Sequence, residues 1–181
     1  MKTSYNILWI DDEPNNTQPD QIDITEFLEE FGIYADIKFV EAPPDGSIHD
    51  RIKDNLSNPE LDILIVDYHM NGLSGDELVH LIRNTDHVYL PVIFYSSSPE
   101  EEIFDAVCTK RLDGVYIANR RFLMDKFKDV VRSLLNKEQT TKQTRGLLME
   151  GVSELDARLN QIFCRHGRNS KTTINQRLLI M

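Results

Sequence analysis

Cysteine is scarce in this sequence: of 181 residues only Cys108 and Cys164 carry thiols. Two thiols so far apart form neither a disulfide framework nor a metal-ligand cluster. Free cysteine usually packs as a small hydrophobe, so Cys108, inside the helix-like segment EIFDAVCTKR, is expected in the core. No apolar run approaches the ~20 residues that span a bilayer, and no membrane partner is expected. The N-terminus MKTSYNILWIDDEP has no long apolar stretch of the secretory kind, so a cytoplasmic location is expected. Basic charge is also short, with 20 Lys and Arg against 30 Asp and Glu and a net charge of -10. The deficit lies in residues 1–136, which hold 12 basic and 26 acidic residues; residues 137–181 hold 8 and 4. An acidic front is a poor nucleic-acid surface, and the shift in composition marks two segments with different roles. No His-Glu-x-x-His, Gly-x-Ser-x-Gly or phosphate-loop pattern occurs, and His49, His80, His87 and His166 lack metal-site spacing.

The first 136 residues alternate between two patterns. Apolar runs occur at Asn6–Ile10, Ala35–Val40, Leu61–Val66, Pro91–Tyr95 and Val115–Ala118. Runs of this length fit strands buried on both faces, as in a parallel sheet. Between them lie helical stripes: Ile24, Phe27, Leu28 and Phe31; Ile48, Ile52 and Leu56; Leu78, Leu81 and Ile82. A fourth helix opens at Ser98-Pro99-Glu100, with serine as the N-cap, proline at the first helical position and acids in the first turn. A fifth begins near Arg121, carrying Phe122, Met124, Phe127, Val130, Val131, Leu134 and Leu135. Five strands alternating with five helices predict an α/β fold, a doubly wound parallel sheet. Such sheets bind ligands beyond the carboxyl ends of their strands, where the strand order reverses.

Three strands end in polar residues suited to that edge: Asp11-Asp12-Glu13, Asp67 and Ser96. Clustered carboxylates repel unless a cation joins them. Oxygen donors on an open edge select magnesium, which keeps several waters and shares its ligation with phosphate. The ion would neutralise an incoming phosphoryl group and align it with a carboxylate nucleophile, a side chain able to form an acyl phosphate.

The segments ILWIDDEP, LDILIVDYHMNGLSGDEL and PVIFYSSSP, in this order, resemble the response-regulator receiver family of two-component signalling. The resemblance covers residues 4–136. It implies a flavodoxin-like fold of five parallel strands, with Asp67 as phosphoacceptor. It implies a Mg2+ site on Asp12, Asp67 and the backbone carbonyl of His69, with Asp11 beside them. Ser96 and Tyr116 match the family's switch pair, and a sensor histidine kinase or phosphotransfer protein is the implied partner. Such a chain is a phosphoacceptor rather than an enzyme. One departure stands out. The family closes its fifth strand with Lys-Pro, whereas DGVYIANRRF puts Asn119 at the lysine position and Arg120 at the proline position. Two outcomes are open: Arg120 or Arg121 replaces the cation, with a fork geometry unlike an ammonium, or the domain is a pseudo-receiver that docks partners without phosphorylation. A magnesium-dependent hydrolase would need a second acid two residues after the nucleophile, where His69 stands. That side chain could instead overhang the site.

Residues 122–166 hold no proline, and glycine only at 146 and 151. The fifth helix is therefore expected to run past the receiver as a helical extension or linker, 137–181, to an output domain outside this chain. Its apolar stripe is Leu147, Leu148, Val152, Leu155, Leu159, Ile162 and Phe163, which needs a partner surface such as a homodimer. Gly167, after Cys164, Arg165 and His166, is expected to end it.

Overall fold

The computed structural model describes residues 2–177, and for residues 138, 139, 142 and 160–177 the backbone alone. Strands β1 (Ser4–Asp11), β2 (Tyr34–Glu41), β3 (Leu61–Asp67), β4 (Val92–Ser96) and β5 (Val115–Asn119) form one sheet. Its order is β2-β1-β3-β4-β5 and every pairing is parallel. Helices α1 (Gln18–Glu29), α2 (Ile48–Leu56), α3 (Gly75–Leu81) and α4 (Glu100–Lys110) connect the strands, and α5 (Leu123–Arg177) follows β5. This is the doubly wound parallel sheet expected from the alternating runs, in the flavodoxin-like form that the family resemblance implies. Compact packing divides the chain between Val131 and Arg132.

Side-chain alternation along each strand explains why both faces are apolar. Leu8, Ile10, Leu64, Val66, Val92 and Phe94 pack in one cluster with Ile48 and Ile52 of α2, Leu78 and Val79 of α3, and Ile103 of α4. Residues of the other parity, Ile7, Trp9, Ile63, Ile65, Ile93 and Tyr95, are also fully buried. On that face Phe27 of α1 meets Phe127 of α5 edge to face, with centroids 6.2 Å apart. Each such large apolar side chain contributes about 1.5–3 kcal/mol.

Several local expectations are corrected. Pro99, not Ser98, is the residue before α4, and it makes no side-chain cap; the Ser98 hydroxyl is engaged elsewhere. Cys108 is exposed, because α4 buries only Ile103 among its own residues and turns its thiol outward. Phe31 lies beyond the end of α1, and Phe122, 60% exposed, sits in a 3-10 turn ahead of α5. Helix α5 continues through Gly167 to Arg177; a lone glycine costs about 1 kcal/mol against alanine and stops a helix only by turning left-handed.

The loop after β3 is held by close backbone approach. Gly72 has φ +84°, and a Cβ there would lie 2.6 Å from Gly46 N and 2.7 Å from Pro44 O. Neither backbone atom can rotate away. Gly72→Ala should therefore lose about 2 kcal/mol or more in urea unfolding, from left-handed strain plus loop displacement. An unchanged midpoint would show that the loop gives freely.

Candidate functional site

The chain runs from β1 outward to β2, then crosses back over β1 to β3. The carboxyl ends of β1 and β3 thus flank the point where the strand order reverses. Asp11 ends β1 and Asp67 ends β3. Asp11, Asp12 and Asp67 each offer a carboxylate oxygen there, all within 4.8 Å of one another. Residues distant in sequence converge because parallel strands bring their ends to one edge.

Local contacts fix each carboxylate. Asp11 is wholly buried; its Oδ1 accepts from the Glu13 amide at 2.7 Å and its Oδ2 from the Tyr95 hydroxyl. Asp12 Oδ2 accepts from the Asn71 amide at 3.1 Å and from its side-chain Nδ2 at 2.6 Å. Asp67 Oδ1 accepts from the His69 amide at 3.2 Å. Glycine at the start of α3 lets that helix close over the site, since a Cβ on Gly75 would fall 2.9 Å from the Asp67 carbonyl oxygen. Ser74 and Glu77 cap the same helix reciprocally.

The site is electrostatically incomplete. Burial, together with the negative charge of Asp11, pushes the Asp67 carboxyl up to about 6 from its ordinary 3.8; the His69 amide and the Arg120 guanidinium oppose the shift only in part. Burial also raises Asp11, against the hydrogen bonds from Tyr95 and Glu13 and the charge of Arg120. Three crowded oxygen donors with uncompensated negative charge suit a hard divalent cation, and Mg2+ fits this donor set.

Ser96, 2% exposed, accepts a hydrogen bond from the Ser98 amide at 3.0 Å and lies directly opposite Asn119 in the β4–β5 register. The Asn119 side chain does not face the carboxylates. Its Oδ1 accepts from the Arg121 backbone amide at 3.1 Å, capping the turn after β5, while the backbone N–H of Asn119 donates to Glu100 Oε1 at 3.0 Å. The cation beside the acids is Arg120. Its Nη2 stands 3.6 Å from Asp11 Oδ2, and its charge is felt by Asp11, Asp20 and Asp67. That Nη2 is buried yet makes no hydrogen bond. Arg121 is exposed. His69 is exposed too, and its Nε2 pairs with Ser98 Oγ at 2.8 Å. Tyr116 is half-buried opposite Ile93 and borders a groove with Phe104, Ile117 and Lys126, away from the carboxylates.

Three participants escaped the sequence reading: Trp9, Asn71 and Tyr95. Trp9 Nε1 donates to the Tyr95 hydroxyl at 2.9 Å. A readable signal existed for Tyr95, since a tyrosine inside a fully buried strand must find a partner for its hydroxyl.

No protein-family model matches this sequence, and no curated protein does. Solved structures do resemble it. A response regulator receiver protein from Pseudomonas putida is 19% identical, with a TM-score of 0.52 over 74% of this chain and 99% of that one. The signal receiver domain of an HD domain-containing protein from Pseudomonas fluorescens Pf-5 is 14% identical, with a TM-score of 0.56 over 76% and 98%. The non-phosphorylated receiver domain of the stress response regulator RcsB from Escherichia coli is 17% identical, with a TM-score of 0.52 over 75% and 95%. The fold is that of receiver domains.

Proposed function

We propose that this chain is a two-component response regulator whose receiver accepts a phosphoryl group on Asp67 with the help of Mg2+. The observation that carries the reading is the convergence of Asp11, Asp12 and Asp67 at the strand-order reversal, where burial and then the charge of Asp11 raise the Asp67 carboxyl. Asp12, Asp67 and the His69 carbonyl would hold the ion, with Asp11 supporting them. When bound, Mg2+ supplies the charge that lets a phosphate approach a carboxylate. The protein's own groups do the rest. The His69 amide holds Asp67 Oδ1, Asn71 holds Asp12, and Arg120 takes the cationic role that Asn119 cannot fill. Ser96 would donate its hydroxyl to a phosphoryl oxygen, and its turn toward the phosphate would let Tyr116 move inward from the α4–β5 groove. The donor is a sensor histidine kinase or a phosphotransfer protein. The chain acts as a switch, not as an enzyme on an outside substrate, in the cytoplasm. Among the described residues no helix is long and apolar enough to cross a membrane.

The test is the intact mass of the chain after incubation with acetyl phosphate and Mg2+, with an excess of EDTA as control. A gain of one phosphoryl group with Mg2+ alone is the expected result. An unchanged mass in both would overturn this reading in favour of a docking module that works without phosphorylation.

The extension of α5 beyond Val131 carries an apolar stripe in which Leu148, Val152, Leu155 and Leu159 are half or more exposed. Ile162, Phe163 and Cys164 belong to this segment, but their side chains lie outside the described residues. Spacings alternating between four and three residues are those of a two-stranded coiled-coil seam. A second copy of the same helix presents the matching stripe, so the chain is expected to dimerise through it. Leu155→Asp should turn a dimer into a monomer in sedimentation equilibrium; a wild-type chain that is monomeric at every concentration would remove the reading.

A further inference from the structure

One buried side chain touches both halves of the charge arrangement around Asp67 and has no part in the chemistry described so far. Tyr95 is fully buried, as are Trp9 and Asp11. Its hydroxyl accepts from Trp9 Nε1 at 2.9 Å and donates to Asp11 Oδ2. The direction of this relay is forced. An indole N–H only donates and an ionised carboxylate only accepts, so the group between them must do both. A phenol does, and it adds no charge to a site already holding three carboxylates; its proton is held well above the ordinary phenol range by burial and by the charge of Asp11.

The ring of the same residue bears Arg120. The guanidinium carbon lies 5.3 Å from the ring centroid, within the range of a cation–π contact. Arginine is a long side chain and carries considerable rotamer freedom. Seated on the ring, it brings Nη2 to a buried position 3.6 Å from Asp11 Oδ2, where that nitrogen has no hydrogen-bond acceptor. A preorganised donor without an acceptor, beside Asp11 and with its charge felt by Asp67, is suited to a phosphoryl oxygen on Asp67.

We propose that Tyr95 is a positioning residue that holds Asp11 by its hydroxyl and Arg120 by its ring face, and that this seat is what lets an arginine serve where a lysine is missing. The inference rests on the reading of Asp67 as phosphoacceptor. It assigns two separable tasks to one side chain. The hydroxyl orients the inner carboxylate and so bears on Mg2+ binding. The ring orients the guanidinium and so bears on phosphoryl transfer.

A double-mutant cycle on the full chain tests both tasks. Tyr95→Phe keeps the ring and loses the hydroxyl; Tyr95→Leu loses both. Each is made alone and with Arg120→Gln, with circular dichroism to confirm folding. The readouts are the Mg2+ dissociation constant by calorimetry and the initial rate of labelling by acetyl phosphate at saturating Mg2+. Tyr95→Phe should weaken Mg2+ about threefold to tenfold and leave the saturated labelling rate within about twofold, in keeping with the net worth of one ordinary intramolecular hydrogen bond. Tyr95→Leu should also slow labelling about tenfold, between the exposed and the fully desolvated limits of a cation–π contact. In the Arg120→Gln background the same Tyr95→Leu change should alter labelling less than twofold, because the arginine it serves is gone. An equal loss in both backgrounds, or no loss in either, would overturn the proposal, since a purely structural role gives additive effects. If the wild type takes no label, the phosphoacceptor reading fails, and calorimetry decides for Tyr95. Mg2+ binding unchanged by Tyr95→Phe then overturns the proposal, and weakened binding sustains its carboxylate half.

Discussion

Asp67→Asn should take no phosphoryl group from acetyl phosphate and Mg2+, and in EDTA at neutral pH it should be more stable than the native chain. The first effect follows from removal of the carboxylate proposed as nucleophile. The second follows from the cost of burying a carboxylate against other carboxylates. Folding raises the Asp67 carboxyl from 3.8 to about 6, chiefly by burial and then by the charge of Asp11. A group whose pKa rises on folding favours the native state while it is protonated. That contribution is fully present below the unfolded value and is lost as the pH climbs through the native one. Between about pH 4 and pH 7 the metal-free native chain should thus lose up to about 3 kcal/mol from this group. Asparagine has no such slope, and its amide fills nearly the same volume. Asp11 shifts in the same direction, so the variant keeps part of the dependence. Urea unfolding in EDTA across this range, for both chains, measures the difference. Mg2+ should restore the native chain at pH 7 and do far less for the variant, because a ligand that binds only the folded state adds stability that grows with the logarithm of its concentration over its dissociation constant. Parallel pH profiles for the two chains would mean that Asp67 is not held as the geometry indicates.

Arg120→Gln should slow labelling at saturating Mg2+ by about 10²-fold, the size expected when a preorganised donor to a developing anion is removed. Arg121→Gln, altering a neighbour that points into solvent, should stay within about twofold. The contrast separates a specific guanidinium from a general need for positive charge. Lysine at the position opposite Ser96 supplies a further check: Asn119→Lys combined with Arg120→Gln should recover most of the lost rate. An ammonium there would start from a β5 residue in register with the serine, as the resemblance to receiver domains implies. Full labelling by Arg120→Gln would reduce the arginine to a counter-ion of Asp11. The departure at Asn119 would then carry no replacement.

Much of this was readable from the amino acids. A sheet covered on both faces leaves few polar positions to interrupt a strand, so the runs NILWI and LDILIV marked β1 and β3 closely, and the acids that follow them marked the strand ends. The convergence of Asp11, Asp12 and Asp67 followed from parallel connectivity alone. What escaped depended on rotamers and on exact register. Ser98 looked like a cap because a serine before a proline and three glutamates suits a helix start, yet its hydroxyl goes to His69. Cys108 looked like core because its segment is helical, but helical spacing does not say how narrow the buried stripe is, and α4 buries very little. Arg83 carried no signal at all. It is 6% exposed and donates to the carbonyls of Val88, Leu90 and Asp113, tying the approach to β4 to that of β5. Arg120 could be named as a replacement cation but not separated from Arg121. Only the structure separates them, with Arg120 beside Asp11 and Arg121 exposed.

The relay from Trp9 through Tyr95 to Asp11 has an optical consequence. The chain holds one tryptophan, and its indole nitrogen is two hydrogen bonds from a carboxylate that meets every change of charge at the strand edge. Indole emission responds to the field and hydrogen bonding at that nitrogen, and a buried ring has no solvent signal to mask the response. The protein thus carries a fluorophore linked to its acid pocket from beneath, and occupancy of the pocket should be readable as a change in emission from the unlabelled, unmodified chain.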